Sequence, residues 1–430
     1  MTRTVDPPFL VALNLTRRCN LACAHCYLDA VTRSTGDEDE LSAREVKALL
    51  DDIAALSDET MVVLTGGEPL LRPDIESIAR HGAGLGLMMV VGTNGTPLDE
   101  KRVARLQQAG IAGVGISLDS LDPAYHDGFR GKPGAWARTM AAIDACRGVG
   151  LIFQIHFSVT DDNADELEDM IDFAREAGAL AFNVFFLVCT GRGEKVTNIS
   201  AETYDHVLRR VVHAAHDETD IMVRAKCAPH FKRMAMELDP AWPITSAHGY
   251  EAGNCLAGTR YCRVTPAGEV TPCPYMETKA GSIREGDFAT IWQSSPLFHR
   301  LREPTLEGRC GDCEYTKICG GCRARPMARD GNPMGEDFLC AYQPGGGAVI
   351  EPMPARPGNF SWSEDAEARL KHVPPFVRRF VRKSVEDYVA EQGRGSVTAT
   401  DMQAVAKRRF GDKGPPGILG LRWPGGEGAG

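Results

Sequence analysis

The sequence predicts an α/β protein: a partial (β/α)6 barrel of the TIM type, then a cysteine-rich domain, then a small carboxyl-terminal helical domain. Three observations carry this. From residue 9 to about 214, short apolar runs alternate with longer stretches of helical periodicity, as in repeated β/α units around a parallel sheet. Most of the fourteen cysteines follow, in a region of weak apolar periodicity that suggests a fold held by metal clusters more than by a core. A Pro/Gly-rich stretch, QPGGGAVIEPMPARPG, then sets off a last amphipathic segment. The expected boundaries are 1–220 for the barrel, 221–343 for the cysteine-rich domain, 344–360 for a linker, 361–411 for the helical domain and 412–430 for a disordered tail.

Six strands are expected, at 9–15, 61–66, 87–93, 113–119, 152–159 and 181–188. Between them lie helical stretches. In 43–56, Val46, Leu49, Leu50, Ile53 and Leu56 recur at helical spacing behind Ser42, an N-cap with Glu45 three residues on. The stretches 99–109, 135–147 and 165–176 read the same way, closed by Gly110, Gly148 and Gly178, and a further helix is expected at 204–216. An open barrel of six units places its active site at the carboxyl ends of the strands. In the last domain one helix carries Val377, Val381, Val385, Tyr388 and Val389 on one face and Arg378, Arg379, Arg382 and Lys383 on the other; Thr398 with Asp401 starts a second helix. About fifty residues make a marginal core, so this unit is expected to dock on the rest or on a partner.

The 430 residues carry a net charge of −10, with 25% charged and 43% hydrophobic residues, which excludes a disordered or membrane-spanning chain and disfavours a broadly basic nucleic-acid binder. From Glu351 onward the charge is +3, against −13 before it. MTRTVDPPF shows no signal peptide, so the expected location is cytoplasmic, without a membrane partner. There the cysteines stay reduced, which favours metal or redox-cluster ligation over disulfides.

Cys19, Cys23 and Cys26, in RRCNLACAHCY, follow the first strand and so stand at the barrel mouth. Three thiolates on a four-iron cluster leave one iron open, as substrate binding to metal requires. A three-cysteine zinc site is the alternative. With Gly66-Gly67-Glu68-Pro69 at the end of the second strand, the triplet resembles the radical S-adenosylmethionine (SAM) superfamily. The resemblance implies an open iron that chelates the amino and carboxylate groups of SAM, and a 5′-deoxyadenosyl radical that takes hydrogen from substrate. It assigns SAM contacts to Gly66, Gly67 and Glu68, to Thr93 and Asn94 in GTNG, and to Ser117 and Asp119 in GISLD; strand-end polar caps are the plainer reading of the last four. His25 is expected to pack by the adenine.

Cys255, Cys262 and Cys273, with Gly268 in CRVTPAGEVTPC, then Cys310, Cys313, Cys319 and Cys322 in CGDCEYTKICGGC, and Cys340, resemble the SPASM extension with its two auxiliary four-iron clusters. Two residues rather than the commoner three separate the last pair of that motif. The family pattern gives one cluster Cys255, Cys262, Cys273 and Cys322 and the other Cys310, Cys313, Cys319 and Cys340; two zinc sites would fit the same spacings. With the triplet this makes three [4Fe-4S] clusters. Cys146 and Cys189 read as packing residues. Cys227, with His230 three residues on in RAKCAPHF, is a candidate hydrogen or proton donor to substrate, or a structural turn.

NLTRRCNLACAHC, LVCTGRG, RAKCAPHF and CGDCEYTKICGGCRAR together resemble the haem-pathway branch of that superfamily, which alters propionate and acetate side chains of tetrapyrroles. The last helical domain resembles the carboxyl-terminal domain of light-independent protochlorophyllide reductase, also a tetrapyrrole enzyme. The implied partners are a tetrapyrrole substrate and an electron donor such as ferredoxin or flavodoxin. A SPASM-type peptide maturase is the rival enzyme reading; an electron carrier needs neither an open iron nor the GGEP segment.

Overall fold

The computed structural model describes residues 5–28, 30–32, 38–188, 190–192, 199–218, 220–242, 245, 254–352, 360–373 and 375–410. Cys189 and the tail at 412–430 lie outside them. In chain order come β1 (Leu10–Asn14), a two-strand ladder of β2 (Arg18–Cys19) and β3 (Val31–Thr32), α1 (Ala43–Leu56), β4 (Met61–Thr65), α2 (Ile75–Gly84), β5 (Met88–Thr93), α3 (Glu100–Gln108) and β6 (Ile111–Ser117). Then follow α4 (Pro123–Arg130), α5 (Ala135–Val149), β7 (Phe153–Val159), α6 (Leu167–Glu176) and β8 (Ala181–Phe186). All six expected strands form, and they lie side by side in parallel.

Four further strands extend this sheet. After α7 (Ala201–Asp217), β9 (Met222–Lys226) joins β8 in parallel, and α8 (His230–Leu238) follows. At the other edge β10 (Tyr261–Val264) pairs in parallel with β1, with Cys262 opposite Val11, and β11 (Glu269–Thr271) and β12 (Gly281–Ser282) continue antiparallel. The order is β12-β11-β10-β1-β4-β5-β6-β7-β8-β9. The cysteine-rich stretch thus supplies strands to both edges of the barrel sheet, across the boundary expected at residue 220, and residues 1–353 form one compact unit. Its remaining helices are α9 (Phe288–Ser294), α10 (Pro296–Arg302), α11 (Gly308–Asp312) and α12 (Ala324–Asp330).

The core lies between sheet and helices. α1 begins at Ser42 with the expected capping box: the Glu45 N–H donates to Ser42 and the Ser42 N–H to Glu45. Val46, Leu49, Leu50 and Ile53 are buried against the sheet, each worth about 1.5–3 kcal/mol over an exposed position. Cys146 is fully buried in α5, as a packing residue should be. Gly148 does not close that helix. α5 runs to Val149 and ends at Gly150, whose φ of 78° lets its N–H turn back to the Cys146 and Arg147 carbonyls.

Residues 344–352, expected as linker, are tied to the cysteine-rich region: the Ile350 N–H donates to the Glu314 carbonyl at 2.7 Å, and Lys317 pairs with Glu351. The rest of the expected linker, 353–359, lies outside the described residues.

The second compact unit begins at Pro354 and holds β13 (Ser361–Trp362), α13 (Glu364–His372), α14 (Pro375–Glu391), β14 (Ser396–Val397) and α15 (Ala399–Phe410). Ala366, Leu370, Val385, Val389, Val397 and Met402 form its core, and Thr398 with Asp401 starts α15 as expected. Arg382 stacks over Trp362 and pairs with Glu367 at 2.8 Å, while Arg378 donates to the Lys371 and Val373 carbonyls. These two arginines of the basic face are engaged within the unit. The side chains of Val377, Arg379 and Lys383 lie outside the described residues. Among the described residues no helix is long and apolar enough to cross a membrane.

Candidate active site

The cysteine loop leaves the carboxyl end of β1 and is moulded onto the end of β4. The Gly67 N–H donates to the Thr16 carbonyl and the Glu68 N–H to the Arg18 carbonyl, both at 2.7 Å. A Cβ on Gly67 would lie 2.1 Å from the Arg18 oxygen, and one on Gly66, where φ is 134°, 2.6 Å from the Thr16 oxygen. The clearance these glycines provide is therefore filled by the backbone leading into Cys19. Cys19, Cys23 and Cys26 pack together with Leu21, Leu28, Ala30 and Ala135. Burial pushes the Cys19 thiol up to about 11, with Glu68, Cys23 and Cys26 adding to the rise, and the Leu21 N–H meets its sulfur at 3.4 Å.

Glu68 is fully buried. It accepts from the Leu70 N–H at 3.1 Å, the Thr93 hydroxyl at 2.8 Å and the Asn94 N–H at 2.9 Å, and burial pushes its carboxyl up to about 7 against those donors. Asn94 donates to Asn20 at 2.9 Å and reaches the Cys19 sulfur at 3.9 Å. Glu68, Thr93 and Asn94 thus form one network against the cysteine loop. Ser117 ends β6 beside His156 on β7.

Asp119 is buried and bound by protein. Arg130 grips it through Nε at 2.6 Å and Nη2 at 2.5 Å, and the Ser158 N–H donates to it at 3.1 Å. Burial would raise this carboxyl, but Arg130, His25, His126 and the Ser158 N–H outweigh it and hold the group below its usual range. Arg130 also reaches the Cys23 sulfur at 3.8 Å. His25 stacks on Phe129, with centroids 4.4 Å apart; burial lowers it to about 3, and its buried Nδ1 has no partner in the protein. A neutral ring with an unspent nitrogen suits a purine edge.

Sequence reasoning missed two residues here, Arg130 and Arg192. Arg192 donates from Nε to the Cys23 carbonyl at 2.9 Å and from Nη1 to the Ala30 carbonyl at 3.0 Å, and its N–H reaches the Cys26 carbonyl at 3.1 Å. A Cβ on Gly191 would lie 2.7 Å from that same Cys26 oxygen. The motif LVCTGRG was visible, but nothing local says that it straps the cysteine loop.

Cys310, Cys313, Cys319 and Cys340 line a common pocket. Burial raises Cys319 above the ordinary thiol range and pushes Cys340 up to about 11, with Arg233 opposing both. Gly321 sits at a φ of 69°, and a Cβ there would meet the Cys310 sulfur at 3.2 Å. Four thiols around one pocket are a donor set suited to a cluster, which takes them as thiolates. His230 lines the same pocket; its Nδ1 meets the Tyr204 hydroxyl at 2.8 Å, its Nε2 stands 3.5 Å from Asp337, and burial lowers it to about 4. Cys227 stands at the end of β9 at a φ of 57°. Tyr27, next to Cys26, meets Tyr275 edge to face at 5.5 Å.

The profile of the radical SAM superfamily matches residues 13–174, and the chain is 40% identical over 351 residues to the AdoMet-dependent heme synthase of Methanosarcina barkeri, covering 80% of this chain and 99% of that one. The chain belongs to the radical SAM superfamily. The SPASM profile, an iron-sulfur cluster-binding domain, matches residues 255–314, and that of the proto-chlorophyllide reductase 57 kD subunit matches 362–405. The pre-heme d1 synthase of Dinoroseobacter shibae is 30% identical over 372 residues, covering 82% of this chain and 91% of that one. Among solved structures, Streptococcus suis SuiB bound to S-adenosylmethionine superposes with a TM-score of 0.62 at 19% identity, covering 78% of each chain. This radical SAM protein accordingly uses SAM and carries iron-sulfur clusters, in place of the zinc alternative, and the gathered cysteine loop and the cysteine-lined pocket fit them.

Proposed function

We propose that this enzyme oxidatively decarboxylates propionate side chains of a haem-precursor tetrapyrrole, with three four-iron clusters: an open one on Cys19, Cys23 and Cys26, and two auxiliary ones. The observation that carries this is the likeness to haem synthases along 99% of a relative's length. The match of residues 362–405 to a protochlorophyllide reductase subunit supports the substrate class from a separate part of the chain. When bound, the open cluster and SAM supply the 5′-deoxyadenosyl radical.

The chain's own residues position and shield. Glu68, desolvated and ringed by donors, pairs with the ammonium group of SAM once it has lost its proton. His25 offers its free nitrogen to the adenine. Arg130, paired with Asp119, reaches Cys23, and Arg192 straps the cysteine loop. A side chain –CH2–CH2–COO⁻ that loses a hydrogen atom from the carbon farther from the carboxylate becomes –CH•–CH2–COO⁻. Release of carbon dioxide and one electron then leaves –CH=CH2. The second cysteine set would hold the auxiliary cluster that could take up that electron, and an external donor such as ferredoxin or flavodoxin would supply the electron for the catalytic one.

The test is anaerobic incubation of reduced, reconstituted enzyme with SAM and iron-coproporphyrin, didecarboxysiroheme or siroheme, read by mass spectrometry. Loss of carbon dioxide and two hydrogens per propionate is expected, with one 5′-deoxyadenosine per side chain and deuterium from the propionate appearing in it. If no tetrapyrrole changes and a peptide gains a cross-link instead, the enzyme is a maturase.

A further inference from the structure

Cys262 lies in the middle of β10, between Tyr261 and Arg263, opposite Val11 of β1. Successive residues of a strand point to opposite faces, so Cys262 and Tyr261 look in opposite directions. Cys262 is fully buried in the main core with Val11, Val264, Trp292 and Phe298. Arg302 stacks over Trp292 and Phe298 of that same core. Tyr261 faces the other way. It packs with Cys255, Cys273, Cys322 and Cys227 in a separate cluster.

Cys227, Cys255, Cys273 and Cys322 share that cluster. The backbone holds them there. Arg325 donates from Nη2 to the Cys227 carbonyl at 2.7 Å and from Nη1 to Asp337 at 2.9 Å, and the same Asp337 oxygen accepts the Cys322 N–H at 2.8 Å. One buried ion pair thereby ties Cys227 to Cys322. Cys227 also keeps a left-handed backbone, φ 57°, where glycine would be the relaxed choice; among the described residues only Asn254 shares that property outside glycine.

We infer that the first auxiliary cluster is held by Cys227, Cys255, Cys273 and Cys322, and that Cys262 is a core residue of the sheet. The inference rests on the auxiliary-cluster reading proposed above, and it departs from the family pattern, which gives Cys262 the fourth place. Each thiol exchanges its proton for a bond to iron on ligation. With Cys227 in place, the first auxiliary cluster has no open iron; it accepts electrons without binding substrate.

The full-length protein is reconstituted anaerobically as wild type, Cys273→Ala, Cys227→Ala and Cys262→Val, the last chosen to keep an apolar side chain in the core. Iron and sulfide per chain and the electron paramagnetic resonance spectrum of the reduced protein are read without SAM or substrate. Cys227→Ala should lose the same iron and the same spectral component as Cys273→Ala, while Cys262→Val matches wild type. Full retention in Cys227→Ala, or loss in Cys262→Val, overturns the assignment. If Cys227→Ala is insoluble, Cys227→Ser serves: a changed spectrum supports ligation, and an unchanged one overturns it. If Cys273→Ala itself loses no iron, the auxiliary-cluster reading fails first and this assignment with it.

Discussion

Replacing Asp119 by asparagine removes one charge from a buried pair and leaves the Arg130 guanidinium behind. Both side chains are buried, at 0% and 7% exposure, and two guanidinium nitrogens meet one carboxylate oxygen at 2.5 and 2.6 Å. Breaking such a pair from one side costs about 3–5 kcal/mol, because the surviving charge stays desolvated. Asparagine still accepts the Ser158 N–H, which places the expected loss near the lower end, about 3 kcal/mol. At roughly 2–4 °C per kcal/mol for a domain of 150–250 residues, and less for a larger unit, the melting temperature should fall by about 5–10 °C. The assay is anaerobic thermal unfolding followed by circular dichroism, on Asp119→Asn, Arg130→Met and the double variant. Removing both partners leaves no stranded charge, so the double variant should recover much of the loss. The sign with pH is fixed as well. The folded carboxyl lies below its unfolded value, so its contribution is full above about pH 4 and fades as pH falls through the folded value, narrowing the gap between wild type and Asp119→Asn in acid. An unchanged melting temperature with weakened SAM binding would refute this reasoning and return Asp119 to the ligand contact that the sequence suggested.

Gly67→Ala should displace the backbone of Arg18, 2.1 Å from the new Cβ, at a cost of about 1–3 kcal/mol; reconstituted iron should fall, and undiminished iron with native SAM cleavage would show that the loop gives way freely. Replacing Cys19, Cys23 and Cys26 together by alanine should abolish reductive SAM cleavage and leave about two-thirds of the iron, since the auxiliary ligands are untouched; 5′-deoxyadenosine production by that variant would contradict the site. Truncation after Met353, at the division between the two compact units and beyond the Ile350 and Glu351 contacts, should leave the first unit folded with its iron. If the second unit recognises substrate, SAM cleavage should persist while porphyrin affinity falls; an unchanged dissociation constant would exclude that role.

The six central strands were legible because each is an apolar run bounded by turn residues, and α1 because Ser42 and Glu45 spell its start. β9, MVRAK, and β10, YCRV, were not, since short strands with charged residues carry no run to recognise, and the partner of β10 lies some 250 residues upstream. Spacing marked the cysteines as candidate ligands but could not divide them: Cys262 shares that spacing, and strand alternation sets it in the core with Val11 and Val264. Resemblance alone assigns Asp119 a ligand contact, and the structure pairs it with Arg130. Its neutraliser, Arg130, comes eleven residues later on a helix whose packing no local pattern encodes.

The place of β10 beside β1 bears on biosynthesis. Strand β1 lies inside the finished sheet, yet one of its two neighbours is made roughly 250 residues after it. At about 5–20 residues per second, a ribosome needs on the order of 10–50 s to deliver that neighbour. Throughout that interval the nascent sheet presents an unpaired, apolar edge, the kind of surface on which chains join wrongly. Expression at lower temperature lengthens the exposure and weakens hydrophobic adhesion together, so the yield of soluble protein should depend on the supply of chaperones as well as on the supply of iron and sulfide.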